Sequence, residues 1–374
     1  MPTYINDVMW NDQPWPAFEA LHHDYTCDVC VVGLGGSGLS AILELVHHGY
    51  NVIGIDAGMV GGGAAGSNGG FILAGLAAFH HDAVVQLGHH RATTLYVQTL
   101  RAIDELAHVE PGLRISGSLR IAADDEEYAD CLTQYASMQK DGLPVELYDG
   151  PEGRGILFPH DGTFQPLQRV RRMALSAHKS GARLFERTPV TAVTHNAVHS
   201  AAHVIHCRHV IVAIDGHLER LFPQLVPHVQ TTRLQMAATA PAHDVQLSRP
   251  VYYRYGYDYW QQRPDGRIAI GGGRDLFADQ EWGHDPRPTT PIQSAIEERL
   301  RTVVRTSAPI THRWGANVAY RHDDVRPFVG QVQPGVWACG AYNGTGNIVG
   351  TICAKAIART IIDGKTHHLA GWID

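Results

Sequence analysis

The chain has 374 residues, 44% of them hydrophobic and 18% charged, with a formal net charge of −7. At ~100–200 residues per domain this allows about two domains with sizeable cores, and 39 Gly with 20 Pro fit a turn-rich globular chain rather than a disordered or fibrous one. The acidic balance, without a basic run, argues against nucleic-acid binding, and no apolar stretch of ~18 residues suits a bilayer span. The first thirty residues carry Asp7, Asp12, Glu19 and Asp24 but neither Lys nor Arg. They do not read as a signal peptide, and a cytoplasmic location is expected.

Residues 1–24, polar and aromatic with Pro14 and Pro16, read as an extended arm. A strand over Cys27–Val32, a loop Gly33-Leu-Gly-Gly-Ser-Gly38, a helix over Leu39–His48 closed by Gly49, and a strand over residues 51–56 follow. Residues 58–70 are glycine-rich and lead into an apolar run, 71–78. Helices are expected over 83–110, 125–140, 166–181 and 291–305, and strands over 117–122, 189–194 and 209–214. The basic groups Arg169, Arg171, Arg172 and Lys179 on the third helix read as a solvated face. Residues 228–275 are strand-rich, and Arg263-Pro-Asp-Gly266 marks a hairpin turn. On one regular strand Tyr253, Tyr255, Tyr257 and Tyr259 would share a face. The tail repeats the opening pattern: strand 336–339, glycine loop 340–346, helix 348–362.

Cys27 and Cys30 form a C-x-x-C, but residues three apart on a strand point to opposite faces, so both read as packing residues. The 24 histidines include the doublets His22-His23, His47-His48, His80-His81, His89-His90 and His367-His368. None has the i, i+4 spacing of a helical metal pair; they read as solvated imidazoles, and no metal is expected.

The chemistry starts at Gly33-x-Gly35-x-x-Gly38. Alone the pattern is weak, but here it joins a strand to a helix, and Asp56 ends the next strand eighteen residues after Gly38. That is a dinucleotide site: Gly33 for the tight turn, Gly35 for close approach of a pyrophosphate, Gly38 for helix–sheet packing, and Asp56 for a ribose. The motif does not separate FAD from NAD. The unit at 336–362 and the glycine run 58–70 suit the larger cofactor.

Several segments carry a resemblance: the arm with Trp10 and its Pro-rich step, Asp28–Gly38, Asp56-Ala57, Ala64-Ala-Gly-Ser-Asn-Gly-Gly-Phe71, Asp265–Arg274, Trp314-Gly315, Arg326-Pro-Phe-Val-Gly330 and Tyr342-Asn-Gly-Thr-Gly346. In these the chain resembles the FAD-dependent D-amino-acid oxidase, glycine oxidase and sarcosine oxidase superfamily, above all its γ-glutamylputrescine oxidase-type branch. The resemblance implies an α/β fold, with a Rossmann-like FAD domain and a discontinuous α+β substrate domain carrying an antiparallel sheet. The FAD domain would comprise 1–75, 150–225 and 310–374, and the substrate domain 76–149 and 226–309. Cofactor contacts would come from Gly33, Gly35, Gly36, Ser37, Gly38, Asp56 and Ala57, then from Ala65, Gly66, Ser67, Asn68, Gly69 and Gly70 along the pyrophosphate and isoalloxazine. Val190 would hold adenine through its backbone, with Ala213 alongside. Gly340, Asn343, Gly344, Thr345, Gly346 and Asn347 would sit near the pyrimidine edge, where a helix N-terminus at about Ile348 stabilises the reduced flavin. Asn68, Asn343 and Asn347 have an alternative as turn residues.

Amino-acid oxidases of this superfamily place a carboxylate-clamping arginine nine residues before the proline of the Arg-Pro pair, and sarcosine oxidases carry the cysteine bonded to FAD in the same neighbourhood. Here the position is Val318. Non-covalent FAD and an amine, or an acid gripped elsewhere, are therefore expected. Arg321 is a candidate catalytic anchor with an ion pair as its alternative. Tyr259 is the other catalytic candidate, and Tyr253, Trp260 and Gln261 are candidate substrate contacts. The expected reaction is oxidation of a C–N bond by hydride transfer to flavin N5, with oxygen or an electron carrier as acceptor. The alternatives are a 2-hydroxy-acid or amino-acid dehydrogenase feeding a quinone or carrier, and a flavin module of a larger complex. Nothing in the sequence decides the oligomeric state.

Overall fold

A computed structural model describes residues 4–373. The ends of the arm and of the tail, residues 1–3 and 374, lie outside the described residues. Contacts divide the chain into two units. One holds the residues up to Asn11, Ser67–Gln165 and Arg233–Asn317; the other holds Asp12–Gly66, Pro166–Thr232 and the residues from Val318 onward. Two of the five boundaries, after Thr232 and after Asn317, fall inside the long strands Val229–Pro241 and Ile310–Arg321.

The second unit is built on a parallel sheet. Tyr25–Val32 pairs with Val52–Ile55 on one side and Val204–Val212 on the other; Arg183–Phe185 and Val336–Gly340 extend the two sides. Chain order 3-2-1-4-5 across these strands is the doubly wound arrangement, whose ligands bind beyond the carboxyl ends of the strands. Val29, Cys30, Val31, Val210, Ile211 and Val212 are buried, as continuous apolar runs of a doubly covered sheet require. An antiparallel ribbon, Val190–Thr194 with Ala197–Ser200, joins the lower half of Val204–Val212.

The helix after the first strand, Gly36–His47, begins three residues earlier than expected, directly inside the glycine motif, and Gly49 (φ 81°) follows its end. The helix Pro166–Lys179 opens on a proline, where the missing N–H costs nothing, and buries Leu167, Val170, Ala174 and Ala177 at helical spacing. One of its basic residues departs from the expected solvated face: Lys179 is exposed, but Arg169 is only 3% exposed. Burial pushes its guanidinium down to about 10. It fits because residue 36 is a glycine; a Cβ there would stand 3.2 Å from Arg169 Nη1.

The first unit carries a mixed sheet in the order 310–321, 229–241, 267–272, 258–262, 251–253, 118–121, 153–158, 146–150. The hairpin at Arg263–Gly266 forms as expected. The helix Thr290–Arg299, continued by a π-turn over Leu300–Val304, lays Ile292, Ile296 and Leu300 on a core with Leu119, Ile121, Val251, Trp260, Ile268 and Ile270. The expected helix over 83–110 is two helices, His80–Leu87 and His89–Val109. Gly88, at φ 78°, breaks them with a backbone conformation that a helix interior excludes.

All six cysteines are buried and free, with Cys27 and Cys207 opposite each other across the parallel pair. Most histidine doublets are exposed as expected, but His80 is buried, with Nε2 2.7 Å from Asp141. Asp363, His367 and His368 each offer a ligand atom within 4.8 Å of the others on an open surface. Among the described residues no helix is long and apolar enough to cross a membrane.

Asp161 is buried beside the small sheet Phe71–Ile72, Gly162–Thr163, Arg114–Ile115, accepting hydrogen bonds from Ala74 N–H (2.8 Å) and Ser118 Oγ (2.6 Å). Burial pushes its carboxyl up to about 7, against the hydrogen bonds that lower it. The folded state therefore holds a proton that the unfolded chain, with an ordinary carboxylate near 4, has already lost. The stabilisation is complete below about pH 4 and is lost as pH rises to about 7, a change on the order of a few kcal/mol. Thermal melts from pH 5 to 8 should show this decline in the wild type and a flatter profile in Asp161→Asn, whose neutral amide satisfies both partners.

Candidate active site

Within the second unit, two glycine turns meet. At the first, Gly33 has φ 106°, and a Cβ there would lie 2.5 Å from Ala213 O; a Cβ on Gly38 would lie 1.9 Å from Gly33 O. Ala213 N–H donates to Val32 O at 2.8 Å, so the residue expected beside the cofactor also braces the turn. Gly35 faces Ala65 Cβ at 3.2 Å from where its own Cβ would be. The Gly36–His47 helix has no side-chain cap and no acid in its first turn. Its first N–H groups are thus left for an anion rather than a side chain.

Asp56 accepts from Leu34 N–H and Gly58 N–H, both at 2.8 Å, so the carboxylate expected for a ribose also ties the glycine turn to the next strand. Burial pushes its pKa up. Val190 begins the edge ribbon and is half-buried, and Ala57 follows Asp56 on an exposed bend.

The second turn is made by Gly340 to Asn347. Ala341 (φ 51°), Asn343 (φ 53°) and Gly344 (φ 92°) take left-handed conformations, and Thr345 Oγ1 donates to Tyr342 O at 2.8 Å. Asn343 Oδ1 accepts from Arg321 N–H at 2.7 Å, so its side chain serves the turn. The helix Val349–Asp363 that follows again has neither side-chain cap nor first-turn acid. The turns converge: a Cβ on Gly350 would lie 2.3 Å from Ser37 Oγ, and Arg169 Nη2 donates to Thr351 Oγ1 at 3.3 Å. Two uncapped helix ends, a buried guanidinium and a backbone stripped of Cβ atoms suit a pyrophosphate, so the residues present fit a dinucleotide.

Asp215 organises the second turn and was missed from sequence. Fully buried, it accepts from the N–H groups of Ala319 (3.2 Å), Tyr342 (3.3 Å) and Ala341; burial pushes its carboxyl up to about 6 despite these bonds. The available signal was an acid directly after the apolar strand 209–214, at the end where doubly wound sheets bind ligands. The Tyr320 hydroxyl lies 3.8 Å from a Cβ built on Gly344, beside the same turn.

Arg321 takes up the ion pairs that were its alternative. Its Nε donates to Asp323 Oδ1 (3.0 Å), Nη1 to Pro327 O (3.2 Å), and Nη2 lies 3.6 Å from Asp324. Its charge is matched by carboxylates. It also alternates with Val318 along the strand, on the side of the core residue Ala319.

In the first unit, the loop Ser67–Gly70 meets Tyr259 and Gln261. Gln261 Nε2 donates to Gly69 O, and the Tyr259 ring is 3.4 Å from a Cβ built on Gly69. Asn68 Oδ1 accepts from Gly70 N–H at 2.8 Å, a turn role. The shared tyrosine face is corrected. Arg254 (φ 52°), Tyr255 (φ 56°) and Gly256 (φ 84°) form the turn of a hairpin, leaving Tyr255 and Tyr257 exposed. Tyr252 pairs opposite Tyr259, while Tyr253 pairs opposite Asp258. Tyr253 and Trp260 therefore pack on the core face, rings 5.9 Å apart, and not on the face of Tyr259 and Gln261. The face with Tyr259 instead groups Phe71, Tyr252 and Tyr259, ring centroids 5.1 to 6.1 Å apart.

The family model for FAD dependent oxidoreductases, DAO, matches residues 28–360. The probable oxidoreductase OrdL of Rhizobium meliloti (strain 1021) is 25% identical over 94% of this chain and 86% of its own length. The gamma-glutamylputrescine oxidoreductase of Escherichia coli (strain K12) is 25% identical over 92% and 85%. Among solved structures, glycine oxidase from Geobacillus kaustophilus superposes with a TM-score of 0.73 at 18% identity, covering 91% of this chain and 95% of that one. L-proline dehydrogenase from P. horikoshii gives 0.75 at 18%, covering 95% and 97%. These structures share the fold. With the glycine turns in place and the family model matching residues 28–360, most of this chain, the chain belongs to the DAO family of FAD-dependent oxidoreductases.

Proposed function

We propose that this enzyme oxidises a C–N bond of a small amine or amino acid, with non-covalent FAD held by the unit that carries both glycine turns. The observation that carries the substrate class is the group Phe71, Tyr252 and Tyr259, three rings whose faces suit a cationic nitrogen. The valine at position 318 supports it, since the carboxylate clamp of amino-acid oxidases has no guanidinium there and Arg321 is held by Asp323 and Asp324. The gamma-glutamylputrescine oxidoreductase among the relatives points to the same class.

When bound, FAD supplies a hydride acceptor at N5 for a C–H bond next to nitrogen, and water hydrolyses the imine product. The chain's own share is orientation and exclusion of water. Gly33, Gly35 and the Gly36–His47 N-terminus would hold the pyrophosphate, Asp56 the ribose, and Val190 the adenine through its backbone. Gly340 to Asn347 would border the flavin, and Ala65 to Gly70 would run along it. Asp215 keeps the 340–346 turn in shape. Tyr259 flanks the substrate, and Gln261 acts on the loop rather than on the substrate.

Anaerobic addition of a panel of amines and amino acids should bleach the flavin of the purified protein, amines more readily than simple α-amino acids. Bleaching by 2-hydroxy acids and by no C–N compound would replace this reading with the hydroxy-acid one. Peroxide yield in air tells oxygen from a carrier as the acceptor. Acid precipitation should leave the yellow colour in the supernatant, because Val318 offers no sulfur for a bond to FAD; colour retained in the pellet refutes non-covalent binding. Asp215→Ala strips three buried N–H groups of their acceptor. FAD affinity by fluorescence titration should fall about tenfold or more, since each lost buried partner costs ~1–3 kcal/mol.

A further inference from the structure

In the second unit the tail folds back at the end of the helix Val349–Asp363. That helix stops at Gly364, whose φ of 73° is one glycine takes without strain, and the 3-10 turn Thr366–Leu369 follows. Leu369 and Trp372 are buried, and Ala370 N–H donates to His367 O at 3.1 Å, so the turn has a fixed shape.

Three metal-ligating side chains meet there. Asp363 Oδ2 lies 2.7 Å from His368 Nε2, and the centroids of the His367 and His368 rings are 4.0 Å apart. One donor atom from each of the three residues falls within 4.8 Å of the others. Adjacent histidines on an α-helix point apart, but this doublet lies in the tight turn beyond Gly364, which brings its rings together. Asp363 Oδ1 accepts from Lys365 N–H at 2.8 Å, which orients the carboxylate while Oδ2 faces His368.

Two imidazoles and one carboxylate are a donor set for a zinc-type divalent ion, whose fourth position takes water. Ligand atoms ~2.0–2.2 Å from a tetrahedral ion stand ~3.4 Å from one another, so small rotations of surface side chains bring these three into place. A backbone N–H on the ligating carboxylate is the outer support such sites use. The last carbonyls of the helix add partial negative charge beside the three residues. The cation one turn back, Arg359, is matched by Glu44 at 2.8 Å.

We propose that Asp363, His367 and His368 bind one zinc-type divalent cation, which staples the tail turn to the C-terminal end of the helix Val349–Asp363. The ion takes the place of the proton between His368 Nε2 and Asp363 Oδ2, so that proton is released on binding. The helix has 15 residues and is ~22 Å long, which sets the site apart from the glycine turn at its other end. The role of the ion is to stabilise the fold, and the proposal stands independently of the substrate reading.

The test strips the full chain with a chelator, exchanges it into chelator-free buffer, and titrates it with zinc chloride against a chromophoric zinc indicator. His367→Gln, His368→Gln and Asp363→Asn are compared with wild type, and His47→Gln, at an exposed doublet elsewhere, is the control. Asn at 363 keeps the oxygen that Lys365 N–H needs. The expected result is one equivalent of zinc bound with a micromolar or tighter dissociation constant. Affinity should fall about tenfold or more in each of the three variants and stay unchanged in His47→Gln. Zinc at about 100 times its dissociation constant should raise the wild-type melting temperature by a few degrees and leave that of the three variants in place. Wild-type binding no tighter than that of the three variants, or weakened equally in His47→Gln, would mean adventitious binding by the chain's other histidines and overturn the proposal. Should Asp363→Asn lower the metal-free melting temperature, the two histidine variants decide on the same readouts.

Discussion

Between the carbonyl of Gly33 and the Cα of Gly38 there is no room for a methyl group: a Cβ would sit 1.9 Å from the oxygen. That contact seats the N-terminus of the first long helix over the end of the first strand. It brings N–H groups close to wherever a diphosphate lies, and it lets the neighbouring strands pair in the doubly wound order. Asp56, Ala213 and Ser37 all take their places from it. Asp56 ties Leu34 to the second strand, Ala213 closes on Gly33, and Ser37 meets the helix that follows the second glycine turn. The second turn obeys a similar constraint by other means, with Asp215 collecting N–H groups so that Ala341 and Asn343 keep left-handed conformations that cost energy in isolation.

Much of this was legible in the sequence, because glycines at steric contacts, apolar strand runs and a terminal acid are local signals. The first strand–helix–strand unit and its echo at residues 336–363 stand where those signals put them. What escaped was set by tertiary partners. Arg169 sits in a helix whose basic residues suggest a wet face, yet the space beside Gly36 takes it inside. His80 is one of a doublet that looks like surface, yet Asp141 draws it into a buried pair. Gly88 divides a continuous helical pattern because one residue of positive φ is enough to turn the chain.

The aromatic segment 252–260 shows how one turn redistributes a candidate site. Period-two reading joins Tyr253, Tyr255, Tyr257 and Tyr259 on one face only if the strand continues. With the hairpin turn at Arg254–Gly256 the register restarts, Tyr252 replaces Tyr253 beside Tyr259, and Trp260 goes to the core. The case of Arg321 is the converse. Strand alternation already sets it opposite in phase to Val318, and two nearby aspartates complete its ion pairs. On the proposed reading, the substrate-facing chemistry shifts from charge to aromatic surface, which selects by shape and polarisability rather than by a fixed counter-ion.

The two uncapped helix ends that meet beside Arg169 have a cellular corollary. Both present partial positive charge into the interior of one unit, next to a guanidinium that burial already disfavours. A ligand that supplies negative charge there binds the folded chain and not the unfolded one, so its binding energy adds to the folding energy. The standing amount of this enzyme in a cell should therefore follow flavin supply. Chains made during riboflavin shortage would be the first to reach the proteases, while those loaded early would persist.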